Sequence, residues 1–119
     1  MEERNAIIES VSIEDNDHGG LSAWLHLDFG GSGQGFGGYG LYSGRHPTHR
    51  CSPNHPNDRN YCGHFIWRCM EIAGVSSWSA LTGKCIRTRH EGGLITAIGH
   101  ITRDKWFYPR EEFKRMGGD

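Results

Sequence analysis

The stretch Asp28-Phe29-Gly30-Gly31-Ser32-Gly33-Gln34-Gly35-Phe36-Gly37-Gly38-Tyr39-Gly40-Leu41-Tyr42 decides how this chain folds, because seven of the eleven residues from Gly30 to Gly40 are glycine. Glycine reaches positive φ and lets other atoms approach the backbone, but it loses more conformational entropy on folding than any other residue. A cluster this dense therefore needs a reason. Phe29, Phe36, Tyr39 and Tyr42 argue against a loose linker, since each ring brings a large area to bury. We expect an ordered, glycine-lined bend between two strands, with Tyr39-Gly40-Leu41-Tyr42 returning as the second of them.

The strand entering the bend is the clearest element in the chain. From Leu21 to Phe29, Leu21, Ala23, Leu25, Leu27 and Phe29 alternate with Ser22, Trp24, His26 and Asp28, the period of a half-buried strand. Before it, Ala6 to Ile13 has the same period, with Ile7, Val11 and Ile13 on one side, Ile8, Ser10 and Ser12 on the other, and Glu9 interrupting. Glu14 to Gly20 reads as a turn. After the bend, Ser43 to Asn60 is a loop rich in Pro, His, Cys and Asn. Phe65, Cys69, Ile72 and Ala73 recur at helical spacing up to a Gly74-Val75 cap. Lys84 to His90 and Leu94 to Ile101 then form a hairpin across Glu91-Gly92-Gly93. Trp106-Phe107-Tyr108-Pro109 packs back through its rings, and residues 110–119 form a partly helical, frayed terminus. The order predicts an α+β fold: an antiparallel sheet of about five short strands in two hairpins against one main helix.

Composition narrows the class. At 119 residues, 35% hydrophobic and 18 glycines, with mean hydropathy of -0.63, the chain is expected to form one domain, residues 1–119, whose modest core leans on aromatic rings. A net charge of -1 gives no general pull toward nucleic acid or an anionic membrane. No apolar run approaches the roughly 20 residues of a membrane helix, and Met1-Glu2-Glu3-Arg4-Asn5 lacks a signal-peptide layout. A cytoplasmic location without membrane association is the expectation, and there cysteines serve as thiols or metal ligands rather than disulfides. The unpaired edges of a small sheet also favour a homodimer.

Four constellations are candidates for function. Trp24, His26 and Asp28 share the outer face beside the bend, and Ser32, Gln34, Phe36 and Tyr39 lie in it or at its end. Gly33-x-Gly35-x-x-Gly38 has the letters of a dinucleotide fingerprint, but strand rather than helix is expected after it, so only a weaker anion nest survives. Lys84, Arg87 and Arg89 put positive charge on the second hairpin, close in sequence to Trp106, Phe107 and Tyr108, a pattern suited to a small anion or nucleotide. His46, His49, Cys51, His55, Cys62 and His64 fall within nineteen residues. Of these, His49, Cys51, Cys62 and His64 are the candidate ligands of a structural zinc, although no Cys-x-x-Cys pair supports it. His26 and Asp28, with His100 approaching, could make the general acid-base pair of a small hydrolase, against the plainer reading that they brace the glycine backbone.

The run His26-Leu27-Asp28-Phe29-Gly30-Gly31-Ser32-Gly33-Gln34-Gly35-Phe36-Gly37-Gly38-Tyr39, with Gly63-His64-Phe65-Ile66, Gly83-Lys84-Cys85-Ile86-Arg87 and Ala97-Ile98-Gly99-His100, resembles a family of small bacteriophage- and prophage-encoded proteins. The resemblance spans roughly residues 20 to 108, while Arg50 to Asn60 is longer and richer in Cys and Pro than the family pattern. Our first expectation is a non-enzymatic protein that binds a host component, such as a defence or regulatory factor, and the resemblance adds a phage accessory setting in the cytoplasm of an infected bacterium, in a family without an assigned function. The resemblance carries over no catalytic residues.

Overall fold

A computed structural model of the protein describes residues 2–15, 21–39 and 61–116. Within these residues six strands form one antiparallel sheet in the order β3-β2-β1-β4-β5-β6, and two α-helices complete an α+β fold. The strands are β1 (Glu2–Asp15), β2 (Leu21–Asp28), β3 (Gly33–Gly37), β4 (Cys85–Glu91), β5 (Leu94–Gly99) and β6 (Trp106–Phe107). The helices are α1 (Tyr61–Ala73) and α2 (Pro109–Met116). None of the described helices is long and apolar enough to cross a membrane.

β2 follows the predicted alternation: Ala23, Leu25 and Leu27 are buried, and Trp24, His26 and Asp28 lie on the other face. β1 does not. It pairs with β2 through Ile8↔Leu27 and then Ser10↔His26, so Glu9 is an extra residue in a β-bulge. Across the bulge the core-facing positions pass from even to odd numbers. Ile8 is fully buried and Ile7 is 47% exposed, the reverse of what a single unbroken alternation predicts.

The glycine run holds the second difference. The first return strand is β3, made from the glycines themselves; of the expected segment Tyr39-Gly40-Leu41-Tyr42, residues 40–42 lie outside the described residues. Phe29 N–H donates to Ser32 O at 2.8 Å, so the bend closes at Gly30-Gly31. Phe36 of β3 turns into the core and stacks on Phe65 of α1 with ring centroids 5.7 Å apart. Around that pair lie Tyr39, Phe107 and Phe113, the aromatic core that the composition required.

α1 buries Cys62, Phe65, Cys69 and Ile72 on the sheet. Its end is closed by Val75 N–H donating to Met70 O at 3.0 Å. β4 and β5 meet at a two-residue turn, Gly92-Gly93, with both φ values positive. The chain after β5 is more ordered than its sequence suggests: β6 pairs through Ile98↔Phe107 and Gly99↔Trp106, and α2 follows it. The sheet curls strongly. The Gln34 side chain donates from Nε2 to Gly93 O at 2.9 Å, although three strands separate β3 from β5 in the sheet order.

Candidate binding cleft

Because the sheet curls without closing, a cleft of ≈ 500 Å³ remains, a size typical of ligand sites. One wall is β3 with Trp24; the other is Leu94, Ile95 and Thr96 of β5. Glu91 lies at the hairpin end, and Tyr39, Tyr108, Arg110 and Glu111 lie toward α2.

The Trp24 wall explains the glycines. Trp24 pairs across from Gly37, and its indole lies over β3. A Cβ on Gly35 would sit 2.9 Å from Trp24 Cε3, and one on Gly38 would strike the far rim of the ring. Gly37 adopts φ +137°, and a Cβ there would collide with Ala23 O. Residues with side chains are thus excluded by a neighbouring ring and a neighbouring backbone, as well as by φ. Periodicity on β2 places Trp24 on the outer face, but its direction across β3 has no local sequence signal.

Pairing parity makes the glycine edge chemically specific. In an antiparallel pair, alternate residues exchange both hydrogen bonds with the partner strand, and the intervening ones point theirs away. The Phe29–Ser32 bond at the turn and the bond from Gly38 N–H to Ala23 O, 3.1 Å, fix the phase. Ser32, Gln34, Phe36 and Gly38 bond to the β2 side. Gly33, Gly35 and Gly37 turn their N–H and C=O groups outward. No other described strand pairs with that edge.

The remaining candidate residues fall into different roles. His26 stacks beside Trp24 with centroids 6.5 Å apart, and its Nε2 lies 3.4 Å from Ser12 Oγ. Asp28 Oδ1 accepts from Gly30 N–H at 2.8 Å, bracing the bend. His100 Nδ1 accepts from the backbone N–H groups of Thr102 and Arg103. It sits on the β5 side, with β1 and β4 between it and β2, so His26, Asp28 and His100 do not assemble into one acid-base site. Ser32 is exposed beside the bend. Phe36 is a correction: at 1% exposure its ring belongs to the core and is out of a ligand's reach. Burial raises the Tyr39 phenol above its ordinary pKa, and nearby Arg110 partly offsets this.

The basic hairpin is also redirected. Trp106 lies over Gly99, where a Cβ would be 2.6 Å from its ring. The guanidinium carbons of Arg87 and Arg89 stand 4.8 and 3.6 Å from the Trp106 ring centroid. Arg87 donates to His100 O at 2.8 Å and Arg103 O at 2.7 Å. Arg89 donates to Tyr108 Oη and pairs with Glu3. These cations are committed to holding the chain, so they do not form an open phosphate site with the exposed Lys84. Trp106 Nε1 is buried with no hydrogen-bond partner among the described residues.

Of the zinc candidates, His49 and Cys51 lie outside the described residues. Cys62 and His64 are two residues apart on α1, about 200° around a helix, and they diverge. Cys62 enters the core, where burial raises its thiol pKa. His64 Nε2 meets Glu112 Oε1 at 2.7 Å. Among the described residues no group of three His, Cys, Asp or Glu side chains could hold a metal ion. Glu112 also accepts from Arg68 Nε at 3.0 Å, and Arg68 reaches Trp106 O at 2.8 Å. Burial alone would raise the Glu112 pKa, but the Arg68 and His64 hydrogen bonds outweigh it and hold the carboxyl below its ordinary value.

Comparison with known proteins finds no matching family model, no matching curated protein and no matching solved structure. The cleft is therefore interpreted from its own chemistry. Sequence alone does not mark Leu94, Thr96, Arg110 and Glu111 as site residues: the curl of the sheet brings the first two opposite the glycines, and α2 brings the other two.

Proposed function

We propose that this is a non-catalytic binding protein whose cleft takes a segment of another protein. The observation that carries this reading is the row of outward-facing backbone groups at Gly33, Gly35 and Gly37, of which Gly35 and Gly37 line a cleft with Trp24, Tyr39 and Tyr108 around it. Main-chain donors and acceptors beside aromatic surface suit a polypeptide, which offers the matching groups in register. The titratable groups proposed for chemistry serve elsewhere: Asp28 braces the bend and His100 caps its own turn. The resemblance to phage-encoded proteins supports a partner in the cytoplasm of a bacterial host, of the kind represented by a defence or regulatory factor.

The test is a photo-reactive amino acid placed at Leu94, which is 69% exposed in the cleft wall, with Trp67, 60% exposed on α1, as the control position. In bacterial cells the Leu94 probe is expected to capture a defined host polypeptide that the Trp67 probe does not. Absence of adducts, or identical adducts from both positions, would count against the cleft.

A further inference from the structure

Taking the cleft as a polypeptide site, we infer that its occupant binds as an added β-strand, antiparallel to β3, with a basic side chain at the Glu91 end. This rests on the functional reading above and specifies the chemistry of the partner segment.

Three features support strand addition. The residues whose N–H and C=O groups face outward from β3 are Gly33, Gly35 and Gly37, so no β3 side chain at these positions stands in front of the row. Across the cleft, β6 pairs with β5 only at Ile98 and Gly99, which leaves the Leu94–Ala97 edge without a described partner strand. β3 and β5 run in the same direction in the alternating sheet, so one segment antiparallel to β3 is antiparallel to β5 as well. The Gln34 side chain already spans the two walls at the hairpin end, so the added strand pairs along Gly35 and Gly37 and ends where that bond crosses.

The charges indicate what the segment carries. Glu91, Glu111 and Arg110 line the cleft, two carboxylates and one guanidinium. Glu91 stands apart from the other two at the hairpin end and makes no ion pair among the described residues. A Lys or Arg there gains a partner, whereas an acidic residue meets repulsion. Alternate side chains of the added strand would lie on the outer face beside the Trp24 indole, where β3 offers only glycine, so an apolar or aromatic side chain fits there. A second copy of this chain fits less well, because its own β3 edge faces its own β5 wall.

The experiment selects random decapeptides by display on the intact protein and then synthesises the winners with single N-methyl groups at each position. N-methylation removes one backbone donor and leaves the side chain. Expected are sequences with a basic residue toward one end. Expected too is a loss of about tenfold or more at alternate positions and little loss between them, as one hydrogen bond and its geometry are removed. Amide exchange at Gly35 and Gly37 should slow on binding, and Glu91→Gln should weaken peptides that carry the basic residue by several fold. Peptides that bind without alternation and leave those amides unprotected would overturn strand addition while leaving the cleft as a polypeptide site. Failure to select any peptide would overturn it, as would concentration-dependent protection of Gly35 and Gly37 with a doubled mass, which would assign the edge to a second copy. Host capture at Leu94 is read separately, so the two conclusions can fail independently.

Discussion

Two tryptophans lie over glycines of a neighbouring strand, and the same packing device serves opposite ends. Trp106 covers Gly99, and Arg87 and Arg89 stack on it while bonding to His100, Arg103, Tyr108 and Glu3. Trp24 covers Gly35 and Gly38, with His26 beside it, and the glycine strand beneath keeps its outer backbone edge toward a cleft. At Trp106 the flanking guanidiniums are spent on the fold. At Trp24 the outer backbone groups of β3 have no described partner strand, and on that difference we propose the binding surface on the glycine side although the sequence places more charge on the arginine side.

The largest expected effect comes from removing each ring. Trp106→Ala strips the platform from two guanidiniums and should cost about 3–5 kcal/mol, the range for deleting a large packed aromatic. Trp24→Ala, at the rim of the cleft, should cost about 1–2 kcal/mol while reducing host capture at Leu94. Denaturant melts with the capture assay check both. Equal stability losses would mean that the two rings are equivalent structural covers.

The glycines beneath them come next. A Cβ at Gly99 meets a ring pinned by two arginines, and one at Gly35 meets a ring that faces open space on one side. Gly99→Ala is therefore expected to cost about 2–3 kcal/mol and Gly35→Ala about 1 kcal/mol, since the penalty of overpacking depends on whether the neighbour can yield. Thermal or denaturant melts showing the reverse order would assign the firmer packing to Trp24.

How much of this was legible depends on whether the deciding contact was local. β2, α1 and the β4–β5 hairpin could be read because their burial follows a repeat inside the element: Ala23, Leu25 and Leu27, then Phe65, Cys69 and Ile72, then Ile86 and Thr88. An unbroken alternation inverts the first half of β1, since one extra residue at Glu9 reverses the faces without altering residue types. β3 is not legible in the sequence because glycine carries no periodic signal; its strand character comes from Trp24 and β2. Arg87 and Arg89 were visible as charge, but their carbonyl, carboxylate and ring partners depend on tertiary folding. Phe36 was visible as a ring, and the packing of α1 made it core rather than contact surface.

Acid should loosen the Trp106 side first. Glu112 links α2 to Arg68, and Arg68 holds Trp106 O. The folded carboxyl is held below its ordinary pKa of 4.5, so its stabilisation is fully present above that value and is lost as pH falls through the lower folded value. Removing the charged hydrogen bonds should cost about 1–2 kcal/mol in this partly exposed network. Melts across pH 3–7 of wild type and Glu112→Gln test this: the variant should be less stable at neutral pH and show a shallower decline below about 4.5. Parallel curves would remove Glu112 as the link.

The smallest effects sharpen the glycine side. Gln34→Ala removes the bond to Gly93 O that ties the two cleft walls at one end, and a net loss of about 0.5–1 kcal/mol is expected for one partly exposed hydrogen bond. Ser32 is exposed in the bend, and its main-chain carbonyl, rather than its hydroxyl, accepts the turn's hydrogen bond; Ser32→Ala should stay within about 0.5 kcal/mol of wild type. Binding should separate the two variants more clearly than stability. Without the Gln34 tie, the walls are free to part, so host capture at Leu94 should change for Gln34→Ala and remain near wild type for Ser32→Ala. If both variants bind as wild type and differ only by their small melting shifts, the Gln34–Gly93 bond is a packing contact, and the recognition surface is confined to the Trp24 end of the cleft.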